Sequence, residues 1–311
     1  MQGNATQDMD QDTGGDGMQW KDYARQGGFG GALVGEKPII GVYGMFQTGK
    51  STLINCLLDD YVALTGQGLS TTSLTARFRY REAPELKYRS LSGKLAPTTI
   101  EEINAPGFVD RVKMDSVFQI EAKLPAALLR KCDIVDTPGF NANEQDTRVA
   151  ANTLEEIHYV IFVVPNRSLY QYEKSVLLEI FRWKKPVLLL MNCSQGRGTE
   201  MWMPESAQNR IIREGIEGWI DSTGFRTEMI NGCKVFPCNF LFYWYCQAAF
   251  DKSVSYIYRP GTIGSHIRSA MAFEDVSFSR EMAVQTSGVP ELIRFLTERT
   301  EQYDALTHTW R

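Results

Sequence analysis

The sequence lacks any pattern of cysteine or histidine that would build a disulfide or metal framework. It holds 311 residues and six cysteines, and no two cysteines form a Cys-x-x-Cys pair. Its three histidines are far apart in the chain, which disfavours a metal site built on imidazole. Four of the cysteines lie in apolar runs or beside the motifs described below. We therefore expect reduced core thiols in a cytoplasmic protein.

An excess of positive charge and a long apolar run are also missing. The formal net charge is −4, which argues against a broad electrostatic footprint for nucleic acid. No apolar stretch is long enough to span a bilayer, and the N-terminus lacks the basic-then-apolar layout of a signal peptide. With 43% hydrophobic and 23% charged residues, the composition predicts a soluble globular protein with no nucleic-acid partner and no integral membrane segment.

Residues 38–58 combine a short apolar run, a glycine-bounded loop and the start of an amphipathic helix. The loop reads G-M-F-Q-T-G-K-S and fits the phosphate-binding pattern G-x-x-x-x-G-K-[ST], the P-loop. Glycine at both ends permits a close approach of backbone to phosphate. We expect Lys50 to place its charge near the outer phosphates and Ser51 to offer its hydroxyl to Mg²⁺. The predicted nucleotide contacts are Gly44, Met45, Phe46, Gln47, Thr48, Gly49, Lys50, Ser51 and Thr52.

A second signature follows about eighty residues later, where an apolar strand runs into D-T-P-G at residues 136–139. An aspartate at the carboxyl end of such a strand lies near the hydration shell of a nucleotide-bound Mg²⁺, and this predicts a metal role for Asp136. The N–H group of Gly139 is predicted to reach a γ-phosphate. The alternative, a surface aspartate followed by a turn, is weakened by the P-loop upstream and by the buried strand before it.

Apolar strands alternate with amphipathic helices along the rest of the chain, which predicts parallel pairing with right-handed crossovers. The fold class is therefore α/β, a three-layer P-loop NTPase domain with a mostly parallel sheet and helices on both faces. Residues 83–106 show little regularity. Strands are predicted at 39–43, 74–81, 117–124, 132–135, 159–164, 187–191 and 233–238, and helices at 171–183, 206–220, 240–249 and 289–300.

The ends of the chain and one internal stretch differ in composition from this domain. Residues 1–17 are polar and acidic and predict a disordered tail, so the domain is assigned to 18–311. Residues 251–286 are polar and mixed and suggest an insertion. The aromatic run at 240–245 is predicted to be a core helix, and the alternative is a surface for a partner or for peripheral membrane contact.

The order of these motifs resembles the GTPase domain of the dynamin-like and related large GTPases. Residues 44–55 and 129–142 are the most similar stretches, and the layout extends from about 38 to 296. The resemblance implies GTP and GDP as ligands, Mg²⁺ as cofactor and a homodimer formed through the nucleotide face. It also implies a threonine that closes over Mg²⁺ and the γ-phosphate. Thr72 matches this threonine best, with Thr71 one position away, and ordinary loop threonines are the alternative.

The base-recognition motif departs from that family. The family reads guanine with Asn-Lys-x-Asp after a buried strand, whereas this chain has N-C-S-Q at 192–195. Asn192 is kept, but Gln195 offers one neutral acceptor in place of a carboxylate. Asn239 matches the position where the family's last loop approaches the base. GTP is expected to bind better than ATP by a reduced margin, and an ATPase of the same fold is an alternative.

The water-positioning glutamine that follows D-T-P-G in many GTPases is absent, and Phe140 stands in its place. Gln47, inside the P-loop, is the nearest candidate, because the guanylate-binding family carries a catalytic arginine at the matching position. An inert loop side chain is the alternative for Gln47. The sequence thus predicts a GTPase that acts as a switch or assembly module, with a nucleotide-gated interaction module of little or no turnover as the other hypothesis.

Overall fold

A computed structural model describes residues 37–59, 75–90, 95–99, 102, 117–140, 144–195, 200–225, 235–248, 280–304 and 309–310. The strands are β1 (Ile39–Gly44), β2 (Thr75–Tyr80), β3 (Glu85–Ser90), β4 (Leu95–Pro97), β5 (Val117–Leu124), β6 (Asp133–Asp136), β7 (Tyr159–Pro165), β8 (Val187–Asn192), β9 (Val235–Cys238), β10 (Tyr303–Asp304) and β11 (Thr309–Trp310). The α-helices are α1 (Lys50–Leu58), α2 (Glu144–Thr153), α3 (Gln171–Arg182), α4 (Ala207–Ser222), α5 (Phe240–Ala248), α6 (Arg280–Thr286) and α7 (Val289–Glu301).

Nine of these strands form one sheet in the order β4-β3-β5-β2-β6-β1-β7-β8-β9. The strands from β6 to β9 in this order are parallel, and so are β2 and β5. Antiparallel pairing joins β2 to β6 and adds β3 and β4 at the outer edge. The predicted mostly parallel α/β architecture is confirmed, and β3 and β4 lie within the stretch that showed little regularity in the sequence.

Alternate residues of the central strands face two separate apolar cores, one on each side of the sheet. On β1, Ile40 and Val42 pack into the core that includes α1, α5 and α7. Ile39 and Tyr43 point the other way, into the core that includes α2, α3 and α4. Successive side chains of a strand point to opposite faces, and burial of both faces accounts for the continuous apolar runs of the central strands. The two cores give the three layers that were predicted.

Helix α5 carries the aromatic run, and it is a core helix as predicted. The side chains of Phe240, Phe242, Tyr243 and Trp244 are all buried. The four described thiols, Cys56, Cys132, Cys193 and Cys238, are free and buried. Across the described ranges, no helix combines the length and apolar character needed to cross a membrane. The predicted tail at 1–17 and most of the stretch 251–286 lie outside the described residues, whereas α6 begins within the latter stretch.

Candidate functional site

The glycine-bounded loop leaves the carboxyl end of β1 and enters α1 through two glycines that no other residue could replace. Gly44 has φ +154 and Gly49 has φ +96, both in the region that favours glycine. A Cβ at Gly44 would lie 2.6 Å from the carbonyl oxygen of Val163, and one at Gly49 would lie 2.5 Å from Nδ2 of Asn192. The loop therefore turns tightly against β7 and β8 before it enters the N-terminus of α1.

Within the loop, a tight turn spans Met45 to Thr48. The Thr48 hydroxyl donates to the Met45 carbonyl at 3.0 Å, and its backbone N–H donates to the same oxygen at 3.4 Å. Gln47 sits in the turn with φ +62, a left-handed conformation that non-glycine residues seldom adopt and that costs free energy. Phe46 lies at the tip, 36% exposed. Of the other predicted contacts, Thr52 is buried on α1.

Lys50 points its ammonium back into the loop. Only 5% of the residue is exposed, and Nζ donates to the carbonyl oxygens of Met45 at 2.9 Å and Gly44 at 3.4 Å. Nζ also lies 3.1 Å from the position that a Cβ on Gly139 would occupy. A cation is thus held between the loop and the D-T-P-G turn, where it can meet an anionic ligand without first leaving the protein interior.

Ser51 and Asp136 meet beside this lysine. The Ser51 hydroxyl donates to Oδ2 of Asp136 at 3.2 Å, whereas Oδ1 is buried and accepts no hydrogen bond from the described residues. Burial raises the pKa of Asp136 to about 6, and the Lys50 charge and the Ser51 hydrogen bond act in the opposite direction. A buried carboxylate oxygen without a donor, next to a hydroxyl, suits a hard cation such as Mg²⁺ or its bound water.

The D-T-P-G turn is joined to the loop by backbone hydrogen bonds. Phe140 N–H donates to the Gly44 carbonyl at 3.1 Å, and Phe46 N–H donates to the Phe140 carbonyl at 3.1 Å. The Thr137 hydroxyl donates to the Val42 carbonyl at 2.9 Å and anchors the turn to β1. Gly139 leaves no room for a side chain, because a Cβ there would lie 2.8 Å from the Phe46 Cα. The loop and the turn therefore form one structural unit.

Asn192 connects this unit to the neighbouring strand. Its Nδ2 donates to the Thr48 carbonyl at 2.9 Å, and its Oδ1 accepts from the Ser194 backbone N–H at 3.1 Å and from the Ser194 hydroxyl. The bond to Thr48 ties the P-loop to the end of β8. Ser194 was not singled out from the sequence, because a serine in a loop has many uses.

Asn239, predicted near the base, makes structural hydrogen bonds at the start of α5. It is fully buried, its Oδ1 caps α5 by accepting from the Phe242 N–H at 3.0 Å, and its Nδ2 donates to the Trp202 carbonyl at 2.7 Å. The described part of the chain thus brings together the loop, Asp136, Gly139 and Asn192. Thr71, Thr72 and the side chain of Gln195 lie outside the described residues, and the backbone of Gln195 ends the short turn Cys193–Gln195.

Comparison with protein families gives a match over the same part of the chain. Residues 40–186 match the family model described as the dynamin family. This range runs from β1 to the residue before β8, and it includes the loop, the D-T-P-G turn and all the strands between them. The resemblance stated from the sequence is confirmed.

Two curated relatives match shorter stretches. Dynamin-like protein 2 of Campylobacter jejuni is 34% identical over 127 residues, which are 40% of this chain and 20% of that protein. Isoniazid-induced protein IniC of Mycobacterium tuberculosis is 28% identical over 158 residues, which are 48% of this chain and 31% of that protein. The matches therefore span less than a third of the length of either relative.

Among solved structures, a chain of an oligomerised bacterial dynamin pair matches at 16% identity with a TM-score of 0.48, covering 86% of this chain and 37% of that one. Aquifex aeolicus Era bound to GDP and AlF4⁻ matches at 15% identity with a TM-score of 0.39, covering 72% of this chain and 58% of that one.

Proposed function

We propose that this chain, which belongs to the dynamin-like GTPase family over residues 40–186, binds GTP with Mg²⁺ and hydrolyses it to GDP and phosphate. It acts as a nucleotide-dependent switch or assembly module, and two copies pair through their nucleotide faces. The exposed Phe46 at the tip of the P-loop fits a surface that a second copy covers.

One observation carries the proposal. Lys50, Ser51 and Asp136 lie side by side under the P-loop, and the buried Oδ1 of Asp136 accepts no hydrogen bond from the described residues. An unpaired buried acceptor costs about 1–3 kcal/mol, and this one lies beside a buried ammonium and a hydroxyl at the P-loop. Mg²⁺ with a nucleotide phosphate would satisfy it.

The chemistry is attack of water on the γ-phosphate, and the protein contributes position and charge. The N–H groups of the loop and of the α1 N-terminus bind the phosphate oxygens, and Lys50 neutralises the charge that shifts during cleavage. Ser51 and Asp136 would hold Mg²⁺, which neutralises the phosphate charge when bound. Gly139 N–H would bind the γ-phosphate, and Thr72 would close over it. Gln47 would orient the attacking water.

A specific observation favours the second candidate, an interaction module with little turnover. Phe140 occupies the position of the usual water-orienting glutamine, and its side chain is fully buried against Tyr43 and Phe162. A phenylalanine side chain has no polar atom with which to orient a water molecule. Turnover then depends on Gln47, whose left-handed backbone fixes its position in the loop.

Release of phosphate from γ-labelled GTP and from γ-labelled ATP separates these hypotheses. A GTPase releases phosphate faster from GTP, and its rate per molecule rises with protein concentration if pairing orders Gln47. Binding without release supports the interaction module. Faster release from ATP contradicts the guanine assignment and supports the ATPase alternative.

The dependence of Mg²⁺ binding on pH provides a test of Asp136. Because the pKa of Asp136 is about 6, the carboxylate is protonated in much of the population at pH 5. We expect the gain in GTP affinity caused by Mg²⁺ to fall by about tenfold between pH 7.5 and pH 5, since metal ligands must be deprotonated. Nucleotide-free protein should lose stability as the pH rises through about 6, because its native state holds this proton more tightly than its unfolded state.

The control is Asp136→Asn, titrated with the same nucleotide so that protonation of the γ-phosphate contributes equally. The Mg²⁺ gain of this variant should be small at every pH. An equal pH dependence of the gain in the parent and in Asp136→Asn would remove Asp136 from the metal site.

Gln195→Asp is expected to widen the preference for GTP over ATP by roughly fivefold to tenfold. The change restores a carboxylate that can accept from the guanine donors, and a charged hydrogen bond exceeds a neutral one by about 1 kcal/mol. Titration of both nucleotides on parent and variant measures the ratio. Gln208→Asp adds the same charge at an exposed site on α4 and should leave the ratio unchanged. An unchanged ratio in Gln195→Asp would exclude residue 195 from base recognition.

A further inference from the structure

Three buried asparagines from three separate elements converge on one short turn. Asn166 follows β7, Asn209 lies in the first turn of α4, and Asn239 follows β9. All three residues are buried. The turn is a 3₁₀ helix at Glu200–Trp202, and it follows the segment after β8 that stands in the place of the family's base-recognition motif.

The three side chains bind three consecutive backbone carbonyls, two in this turn and one directly after it. Asn209 Nδ2 donates to Met201 at 2.9 Å and to Met203 at 2.7 Å, and Asn166 Nδ2 also donates to Met201 at 3.2 Å. Asn239 Nδ2 donates to the Trp202 carbonyl between them, at 2.7 Å. Buried irregular backbone needs such partners, and a fully satisfied network of this kind holds one conformation.

The same network continues to the phosphate side of the site. Asn166 Nδ2 lies 3.5 Å from the carbonyl of Cys193, which begins the turn directly after Asn192. Asn192 in turn donates to Thr48 of the P-loop. The turns Cys193–Gln195 and Glu200–Trp202 contact each other, and the Trp202 ring packs at 5.9 Å from Phe242. Buried polar contacts thus connect the P-loop to the turn Glu200–Trp202.

We infer that Asn166, Asn209 and Asn239 are positioning residues that set the selectivity of the site between guanine and adenine nucleotides. The inference rests on the proposed function. Without the family's carboxylate, the protein would recognise guanine through neutral hydrogen bonds. Such a bond distinguishes guanine from adenine only when the protein group that makes it is held in place before the nucleotide binds. The network supplies this fixed position by holding the backbone of the turns Cys193–Gln195 and Glu200–Trp202, and the asparagines need not touch the base.

The test is Asn239→Ser, with GTP and ATP affinities measured in parallel. Serine is an equally good helix cap, so α5 is retained, but the shorter side chain loses the donor to Trp202. We expect the GTP affinity to fall by roughly fivefold, which corresponds to the contribution of one neutral hydrogen bond. The ATP affinity should stay constant. Asn166→Ser removes the longer contacts of the network and should shift the ratio in the same direction. If Asn239→Ser does not fold, Asn166→Ser alone tests whether the network sets the selectivity.

Thr153→Val is the matched control. Thr153 ends α2, donates a buried hydrogen bond to the Ala150 carbonyl and pairs with the Tyr43 hydroxyl at 2.7 Å. Its loss should lower the melting temperature and leave the GTP-to-ATP ratio unchanged. If the asparagine variants lower both affinities equally, or change neither, the asparagines are structural only and the inference is overturned. A parent without any GTP preference would instead overturn the guanine assignment itself, and this inference with it.

Discussion

Lys50→Ala is expected to abolish measurable nucleotide binding while the fold stays intact. The ammonium is the one charged donor that the described residues place inside the P-loop, and it lies between the loop and the D-T-P-G turn. Charge-assisted hydrogen bonds contribute about 1.5–3 kcal/mol each, so the loss of two corresponds to roughly a hundredfold or more in affinity. Helix α1 should persist, because alanine is the best helix former and the apolar face of α1 is unchanged.

Titration calorimetry with GTP and circular dichroism measure the two parts of this expectation. Lys131→Ala is the control, since Lys131 is half exposed and pairs at the surface with Glu301, at 3.1 Å. This variant should bind nucleotide like the parent. A folded Lys50→Ala protein that binds GTP as tightly as the parent would show that the loop is not a phosphate site.

Gly139→Ala is expected to separate the D-T-P-G turn from the P-loop and to cost triphosphate affinity in particular. The new Cβ would lie 2.8 Å from the Cα and 2.9 Å from the N of Phe46, and backbone atoms cannot rotate away as a flexible side chain can. The loop and turn must therefore move apart and weaken the backbone hydrogen bonds that Phe140 makes with Phe46 and Gly44. Overpacking of this kind destabilises a fold by about 1–3 kcal/mol.

The measurement is the ratio of GTP to GDP affinity, together with the melting temperature. Because the proposed role of Gly139 is toward the γ-phosphate, GTP should lose more affinity than GDP. Gly218→Ala is the control: it adds the same methyl group on an exposed part of α4, where a Cβ meets nothing within 4 Å. That variant should gain about 0.5–1 kcal/mol in stability and bind both nucleotides normally. A parent-like GTP-to-GDP ratio in Gly139→Ala would exclude the turn from the γ-phosphate site.

The central strands could be predicted from the sequence because each of them is marked by a short apolar run of its own. The runs that became β1, β7 and β8 are continuously apolar, and only a strand buried on both faces needs such a run. The P-loop and the D-T-P-G turn are also predictable from short stretches of sequence. Their glycines are required by close contacts within the P-loop, with the neighbouring strands β7 and β8, or between the P-loop and the D-T-P-G turn. The glycines in the sequence therefore indicate these turns directly.

The outer strands and α2 were not predicted because their stability depends on distant partners. Strand β3, with the sequence E-L-K-Y-R-S, carries four polar residues in six, and it is held by antiparallel pairing with β5. Helix α2 is largely polar and contributes Ala150 to a core formed by residues far along the chain. Tertiary packing outweighs weak local propensity in both elements.

The asparagine network escaped prediction for a related reason. Asn166 and Asn209 are 43 residues apart in the chain, and asparagine suits loops and helix starts for many local reasons. Asn239 was predicted near the base from its position in the family's layout. Its partners, Trp202 and Phe242, could be identified only once β9 and the turn Glu200–Trp202 were placed side by side.

Parallel titration of the unmodified chain with GTP and with ATP, both with Mg²⁺, tests the central claim most directly. The site described here predicts saturable binding of both nucleotides, tighter for GTP, and a loss of affinity when Mg²⁺ is chelated. The margin should be smaller than in a protein with an intact Asn-Lys-x-Asp motif, because Gln195 offers only a neutral acceptor. Tighter binding of ATP, or no saturable binding of either nucleotide, would contradict the account.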